Sequence, residues 1–303
     1  MLGAVRSATL LGVDGYVVTV EVHISSGLPA YHVVGMPDTA VRESRERVRA
    51  AMLSSGFDWP RQRITVNLAP AALRKTGAGF ELAVALGVLI ASDALPACAL
   101  EGIAVLGELG LDGTVRAVSG ALVLVDACAR IGLRTVVVPS DNVREASLVP
   151  GVDVRVARNL AELRDCLKGE GIWPEPPPPA DDEPDVFDEP VDLAEVRGLL
   201  LARRALEVAA AGRHHLLLVG PPGAGKTMLA RRFPTILPPL DHQEALAVTR
   251  IHSVAGCAPV GTLVRTRPFR APHHTASAAA LVGGGSARPH PGEVTIAHGD
   301  VPS

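Results

Sequence analysis

No stretch of this chain is apolar for long enough to cross a membrane. The longest uninterrupted run, Leu82 to Ala91, is about half of the ~20 residues that a spanning helix requires. Paired cysteines are missing too. Cys98, Cys128, Cys166 and Cys257 stand apart with no CxxC among them, a spacing that supports neither a zinc site nor a disulfide framework. A reducing, cytoplasmic compartment is the expectation that follows. The first residues, MLGAVRSATLLGVDGYVV, hold one arginine, meet Asp14 early and offer no small-residue cleavage site, so they read as mature sequence rather than a signal peptide. No internal repeat is visible.

One segment lacks basic residues altogether. Residues 171–192 hold no Lys or Arg against 8 Asp and Glu, and GIWPEPPPPADDEPDVFDEPVDL, 171–193, adds a proline run and little apolar surface. Such a composition favours an extended, self-repelling linker. Residues 1–170 are balanced, with 17 Lys and Arg against 18 Asp and Glu, whereas 193–303 hold 12 against 6 and carry +6 within a chain of net charge −3. A basic module suits a polyanion such as nucleic acid or nucleotide, but solvated arginines explain it equally well, and charge alone does not choose. With 303 residues and 48% hydrophobic positions there is material for two cores. The expected division is 1–170, a linker at 171–193, and 194–303.

Before the linker, strand and helix patterns alternate. Val18, Val20, Val22 and Ile24 share one face of a period-2 run, and SSGLP leads to a second strand, AYHVVGMP, which together read as a half-buried hairpin. Asp38 is the expected N-cap of TAVRESRERVRAAMLSSG, whose apolar stripe is Val41, Val48, Ala51 and Met52. Strand RITVNLAP, helix FELAVALGVLIASDAL, strand IAVLGEL, helix SGALVLVDACARIG, strand RTVVVP, a short helix, strand VDVRVA and a helix capped by Asn159 complete an α/β domain. After the linker, EVRGLLLARRALEVAAAG reads as a helix ended by Gly212, and HHLLLVG as a short strand entering a glycine loop.

That loop is Gly220, Pro221, Pro222, Gly223, Ala224, Gly225, Lys226 and Thr227, a complete GxxxxGK[ST] pattern. The chemistry needs glycines so that backbone N–H groups converge on phosphate oxygens; the lysine reaches the β/γ-phosphates, and the Thr227 hydroxyl is a ligand for Mg²⁺ held with ATP. A helix starting near Thr227 adds the positive end of its dipole. Hydrolysis requires an acid at the end of a second core strand as well. Beyond Thr227 the acids are Asp241, Glu244, Glu293 and Asp300, and only Asp300, after VTIAHG, can be argued onto a strand end.

Two sets of residues resemble one family, the bacterial ComM (YifB) proteins, also called magnesium-chelatase-like AAA+ ATPases. The first set is GMPDTAVRESRERVRAAMLSSGF, RITVNLAPAALRKTGAGFELAVALGVL and GELGLDGTVRAVSGAL. The second is RRALEVAAAGRHHLLLVGPPGAGKTMLARRFPTILPPL and RPFRAPHHTASAAALVGGGSARPHPGEVTIAH. The resemblance implies an α/β fold in two parts: a Lon-protease-like, ribosomal-S5-type N-terminal domain and a P-loop AAA+ module. It also implies a cytoplasmic, ring-forming homo-oligomer that uses ATP and Mg²⁺ and acts on DNA, as a helicase and branch-migration motor during DNA integration. Gly220 to Thr227 match the family's Walker A motif residue by residue. Pro272 to Thr275, PHHT, match as well, but adjacent side chains such as His273 and His274 rarely chelate one ion, and the chemistry of this segment is open.

The sequence departs from the family pattern at AHGDVPS, where the family continues into the Walker B strand. The expectation is a truncated or frameshifted product whose module is partial and whose hydrolysis is impaired, without Walker B, sensors or arginine finger. The resemblance also tests for a peptidase. Gly79 stands where the Lon serine aligns, Leu122 and Leu124 stand at the candidate lysine positions, and Lys75 precedes the loop. A Ser/Lys dyad is thus not expected. Two other readings stand beside the DNA motor: a magnesium-chelatase ATPase subunit, which would resemble only the part after the linker, and a nucleotide-binding fragment that joins an intact paralogue without turnover.

Overall fold

The computed structural model describes residues 1–75, 77, 79–176, 191–257, 261–284 and 290–299, with residues 40 and 42 described by backbone alone. The described residues group into two compact units, 1–176 with 261–262, and 191–257 with 263–284 and 290–299. Of the linker expected over 171–193, residues 177–190 lie outside the described residues.

The first unit is a seven-stranded sheet with helices on both faces. Its elements are β1 (Leu2–Leu11), β2 (Asp14–Ser25), β3 (Ala30–Val34), α1 (Thr39–Ser54), β4 (Arg63–Ala69), α2 (Glu81–Ala91), β5 (Ile103–Val105), β6 (Glu108–Leu109), β7 (Val115–Arg116), α3 (Ala121–Arg130), β8 (Thr135–Pro139), α4 (Val143–Ala146), β9 (Asp153–Ala157) and α5 (Leu160–Lys168). The sheet runs β3-β4-β2-β1-β5-β8-β9, while β6 and β7 form a separate small hairpin. Four of its six pairings are parallel, β3 with β4, β1 with β5, β5 with β8 and β8 with β9, so the unit is mixed α/β with a mostly parallel sheet.

The alternation expected in β2 is observed: Val18, Val20 and Val22 are fully buried and Ile24 nearly so. The partner expected for β2 is not. β2 and β3 form no hairpin, because β4 lies between them, antiparallel to β2 and parallel to β3. The hairpin partner of β2 is instead β1, in register from Leu2 opposite His23 to Leu11 opposite Asp14. The reason is physical: a two-residue connection between β1 and β2 closes with less loop entropy than the longer SSGLP segment, and it leaves β3 free to take a parallel place beyond β4. The strand expected over IAVLGEL also divides. After β5, Leu106 N still donates to Val137 O, but Gly107 N donates to Gly79 O, which carries the chain out of the sheet.

Helix α2 explains the apolar run of the sequence, since all eleven of its residues are buried. It lies on the sheet at glycines. A methyl group on Gly3 would stand 2.4 Å from Gly87 O, and one on Gly87 would stand 2.5 Å from Val22 Cγ2, so neither position accepts a side chain without displacing the helix. Gly15, paired with Leu10 on the opposite face from Gly3, approaches Val123 O of α3 in the same way, which sets α2 and α3 on opposite faces. Helix α1 is capped as expected: Asp38 Oδ1 accepts from Val41 N at 2.9 Å, and Val41, Val48, Ala51 and Met52 are buried. Asn159 caps α5 through Glu162 N at 2.8 Å.

The second unit contains α6 (Leu200–Gly212), α7 (Lys226–Arg232), α8 (His242–Ala255), α9 (Ala278–Val282), β10 (Gly283–Gly284), β11 (His290–Pro291) and α10 (Glu293–Ile296). Helix α6 starts later than the sequence suggests. Leu193–Glu195 form a single 3₁₀ turn, and Gly198 and Leu199 both take left-handed backbone, which prevents the helix from extending back through EVRG. Residues VTI, expected to precede a strand end, lie in α10. No described helix is long and apolar enough to cross a membrane.

Candidate nucleotide site

The loop expected to grip phosphate lies between a small apolar core and α7. Leu193, Val196, Leu206 and Leu229 form that core, with Ala202, Leu218, Phe233 and Ile236 packed against it. Leu216 to Val219 lead into the loop with alternating sides: Leu218 is half-buried in the core, while Leu217 and Val219 are 87% and 84% exposed. The expected strand is not formed here, since these residues have no sheet partner among the described residues. An apolar segment becomes a strand only when neighbours complete its ladder, and the alternation survives without them.

All eight residues of the pattern come together in one turn. Gly223 (φ 80) and Gly225 (φ 82) are left-handed, the conformation in which successive N–H groups converge on one side. Ala224 N donates to Pro221 O at 3.4 Å, Gly225 is the N-cap of α7, and Leu229 N donates back to Gly225 O at 2.9 Å. Nothing lies within 4 Å of a methyl group placed on Gly223, and the hydroxyl-bearing Thr227 is exposed at the start of the helix. The Lys226 ammonium folds back to donate to the carbonyls of Gly220 and Pro221, both at 2.7 Å. These are neutral acceptors, and phosphate oxygens at the same place would be stronger ones. The residues present therefore fit a nucleotide phosphate with Mg²⁺: open left-handed glycines, a cation with exchangeable partners and a free hydroxyl.

The supports of this loop were not legible from spacing. Arg232, in the last turn of α7, donates through Nε to Asp192 O at 3.0 Å and through Nη2 to Glu195 Oε2 at 2.8 Å. That hydrogen bond holds the Glu195 carboxyl below its ordinary range. The partners are 37 and 40 residues apart, beyond any local pattern.

The acids after Thr227 have other engagements. Asp241 and Glu244 form a reciprocal capping box at α8, at 2.8 and 3.1 Å. Glu244 also accepts from Arg267 Nη2 at 3.2 Å. Glu293 takes a two-pronged bond from Arg270, at 2.6 and 2.8 Å, which holds its carboxyl below the usual range and raises the guanidinium. Asp300 lies outside the described residues. His273 and His274 are exposed with ring centroids 4.1 Å apart, and His273 Nδ1 is 2.7 Å from Thr275 Oγ1. Among the described residues no group of three or more His, Cys, Asp or Glu could hold a metal.

In the first unit, Gly79, Leu122 and Leu124 carry no nucleophilic or basic side chain. Leu122 and Leu124 are buried in α3, and Gly79 supplies only backbone. Lys75 is fully buried, donates to Pro70 O, and is pulled below the ordinary lysine range by that burial.

Two family models match the chain. One described as magnesium chelatase, subunit ChlI, covers residues 192–301, and one described as subunit ChlI of Mg-chelatase covers residues 20–142. An uncharacterized protein of Mycobacterium tuberculosis is 51% identical over 98% of this chain and 59% of its own length. Protein YifB of Escherichia coli is 43% identical over 99% of this chain and 58% of its own. Competence protein ComM of Haemophilus influenzae is 40% identical over 98% and 58% respectively. The chain thus spans somewhat less than three fifths of the curated relatives it matches. Fold, loop and family models together define a protein with magnesium-chelatase-type regions and a GxxxxGK[ST] loop. Within that class, the chain belongs to the ComM (YifB) family.

Proposed function

We propose that this chain is the ATP-binding part of a ComM-type AAA+ protein that processes DNA from a cytoplasmic, homo-oligomeric ring, with a Lon-protease-like first domain that is not a peptidase. The observation that carries the reading is the loop itself. Gly223 and Gly225 are left-handed, α7 begins at Lys226, and the lysine rests on carbonyls that phosphate oxygens would replace. In this reading Gly220 to Gly225 supply backbone donors, Lys226 neutralises the β/γ-phosphates, and Thr227 holds Mg²⁺. The bound nucleotide supplies the phosphoanhydride bond whose cleavage drives the ring. The +6 charge of residues 193–303 supports DNA as the partner.

A second reading concerns turnover. The described acids after Thr227 are committed to a capping box and to arginine pairs, so in this reading the described residues bind nucleotide without rapid hydrolysis. A magnesium-chelatase ATPase subunit is the alternative that both family-model matches favour, since the ChlI description covers residues 20–142 as well as 192–301 and is not confined to the part after the linker, whereas identity to ComM across nearly the whole chain favours the DNA reading.

Labelled ATP with Mg²⁺ tests the binding. The chain should bind it, and Lys226→Ala should weaken binding by at least about tenfold, the loss of one charge-assisted contact. Equal affinity in the two proteins would remove the proposal. ATPase activity measured with and without branched DNA tests the rest: robust turnover abolished by Lys226→Ala would overturn the claim that these residues bind without rapid hydrolysis.

A further inference from the structure

We propose that Leu199 is the positioning residue of the phosphate loop, holding Gly225 in the left-handed turn from which α7 starts. The inference rests on the nucleotide reading above.

Leu199 is in an unfavourable place for a leucine. Its backbone is left-handed (φ 49, ψ 37) directly after a left-handed Gly198 (φ 72). Glycine takes that conformation freely, but a residue with a Cβ meets its own carbonyl, and such strain persists only where the surroundings impose it. Capping does not account for the residue. Leu199 is the N-cap of α6, where Ser, Thr, Asp, Asn or Gly are preferred, and its side chain makes no cap hydrogen bond. Core burial does not account for it either, because Leu199 is 43% exposed.

What remains is its contact with the loop. A methyl group on Gly225 would stand 3.4 Å from Leu199 Cδ1 and 3.3 Å from Met228 Cε, so the leucine tip covers the glycine where loop becomes helix. The segment leading to Leu199 is anchored to the other end of the same helix. Arg232 holds Asp192 O and Glu195, while Leu193 and Val196 are buried with Leu229. Arg203 Nη1 donates to Val196 O at 3.1 Å and ties the segment to α6. Residues 192–199 therefore span α7 from its last turn to its cap, fixed by polar bonds at one end and by Leu199 at the other. A prop against Gly225 pre-organises the donors of the following turn and reduces the ordering that phosphate binding would otherwise require.

The test uses the 303-residue chain and its Leu199→Gly, Leu199→Met and Lys226→Ala variants, with labelled ATP and Mg²⁺ as the probe and denaturant unfolding alongside. Glycine removes the prop and relieves the backbone, so Leu199→Gly should bind ATP roughly five- to tenfold more weakly while its unfolding midpoint is unchanged or higher. Leu199→Met keeps the apolar reach and should bind within about twofold of the parent. A Leu199→Gly chain that binds as tightly as the parent would overturn the inference. So would a loss of affinity that Met fails to restore and that follows a drop in stability, since that is what a merely structural leucine does. If the parent itself does not bind ATP, the nucleotide reading falls and this one with it. If the parent binds, Lys226→Ala does not, and Leu199→Gly does, only the positioning role falls.

Discussion

Val18 to Ile24 and Leu216 to Val219 are both apolar segments with alternating sides, yet only the first is a strand. β2 has β1 on one side and β4 on the other, and Val18, Val20 and Val22 lose all contact with solvent. Leu216 to Val219 have no described partner, so Leu218 packs inward while Leu217 and Val219 remain exposed. Apolar patterning creates a face, and neighbouring chain converts that face into a sheet. The same contrast holds for helices: α2 is buried all round, while Leu200 and Leu201 of α6 are 75% and 89% exposed.

The largest effect that would sharpen this contrast lies in the first unit. Leu86 is fully buried in α2, and Leu86→Ala should cost about 2–5 kcal/mol, the range for a deleted core leucine. The two tryptophans of the chain, Trp59 and Trp173, both pack against this unit's core, so their fluorescence reports its unfolding specifically. A shift of under about 1 kcal/mol in a urea titration followed at tryptophan would mean that the core around α2 is looser than the close approaches at Gly3 and Gly87 require.

Much of that core was legible in advance, and the failures share a cause. The buried face of β2, the caps at Asp38 and Asn159, the stripe of α1 and the glycine loop are set by residues within a few positions of one another. Such signals are local, and one sequence contains them in full. Partner choice is not local. Adjacency in sequence pairs β3 with β2, whereas β4 takes the place between them. β1 carries no apolar alternation, because its buried face mixes Val5 with Ser7 and Thr9. At the candidate site the GxxxxGK[ST] spacing is local and legible in the sequence, but the supports at Asp192, Glu195 and Leu199 are not. They reach it from 26 to 40 positions away or through a side chain whose only signal is strained backbone.

Two carboxylates extend the comparison to pH, with opposite signs. Glu81, at the start of α2, is raised above the ordinary 4.5, chiefly by burial, against the lowering effects of Leu109 N at 3.0 Å and Arg47 Nε at 2.6 Å. A raised acid fits the fold better when protonated. Its contribution is fully present below the unfolded value and is lost as pH rises through the folded one. Glu293 is lowered, chiefly by its hydrogen bonds from Arg270, so its contribution is present above the unfolded value and is lost as pH falls. Replacing each by Gln should therefore give stability differences of opposite slope, for Glu81 as pH rises above about 4.5 and for Glu293 as pH falls below about 4.5. For the partly exposed Glu293 pair the size is about 0.2–1 kcal/mol. Tryptophan fluorescence reads the first variant and far-ultraviolet circular dichroism the second. Slopes of the same sign would show that one of the two environments has been misassigned.

The smallest expected effect bears most directly on the contrast between the regions. Leu201 presents almost its whole side chain to solvent, so Leu201→Ala removes no buried area and leaves no cavity. Alanine is also the better helix former, which favours the variant slightly at a helical position. The unfolding free energy should then stay within about 0.5 kcal/mol of the parent, read by circular dichroism in denaturant at two protein concentrations. A loss above about 1 kcal/mol would require burial of Leu201 in solution. If that loss grew with protein concentration, the covering surface would come from another molecule by mass action. The apolar face of α6 would then be completed by a neighbour, as the apolar face of β2 is, and the two regions would differ only in where that neighbour comes from.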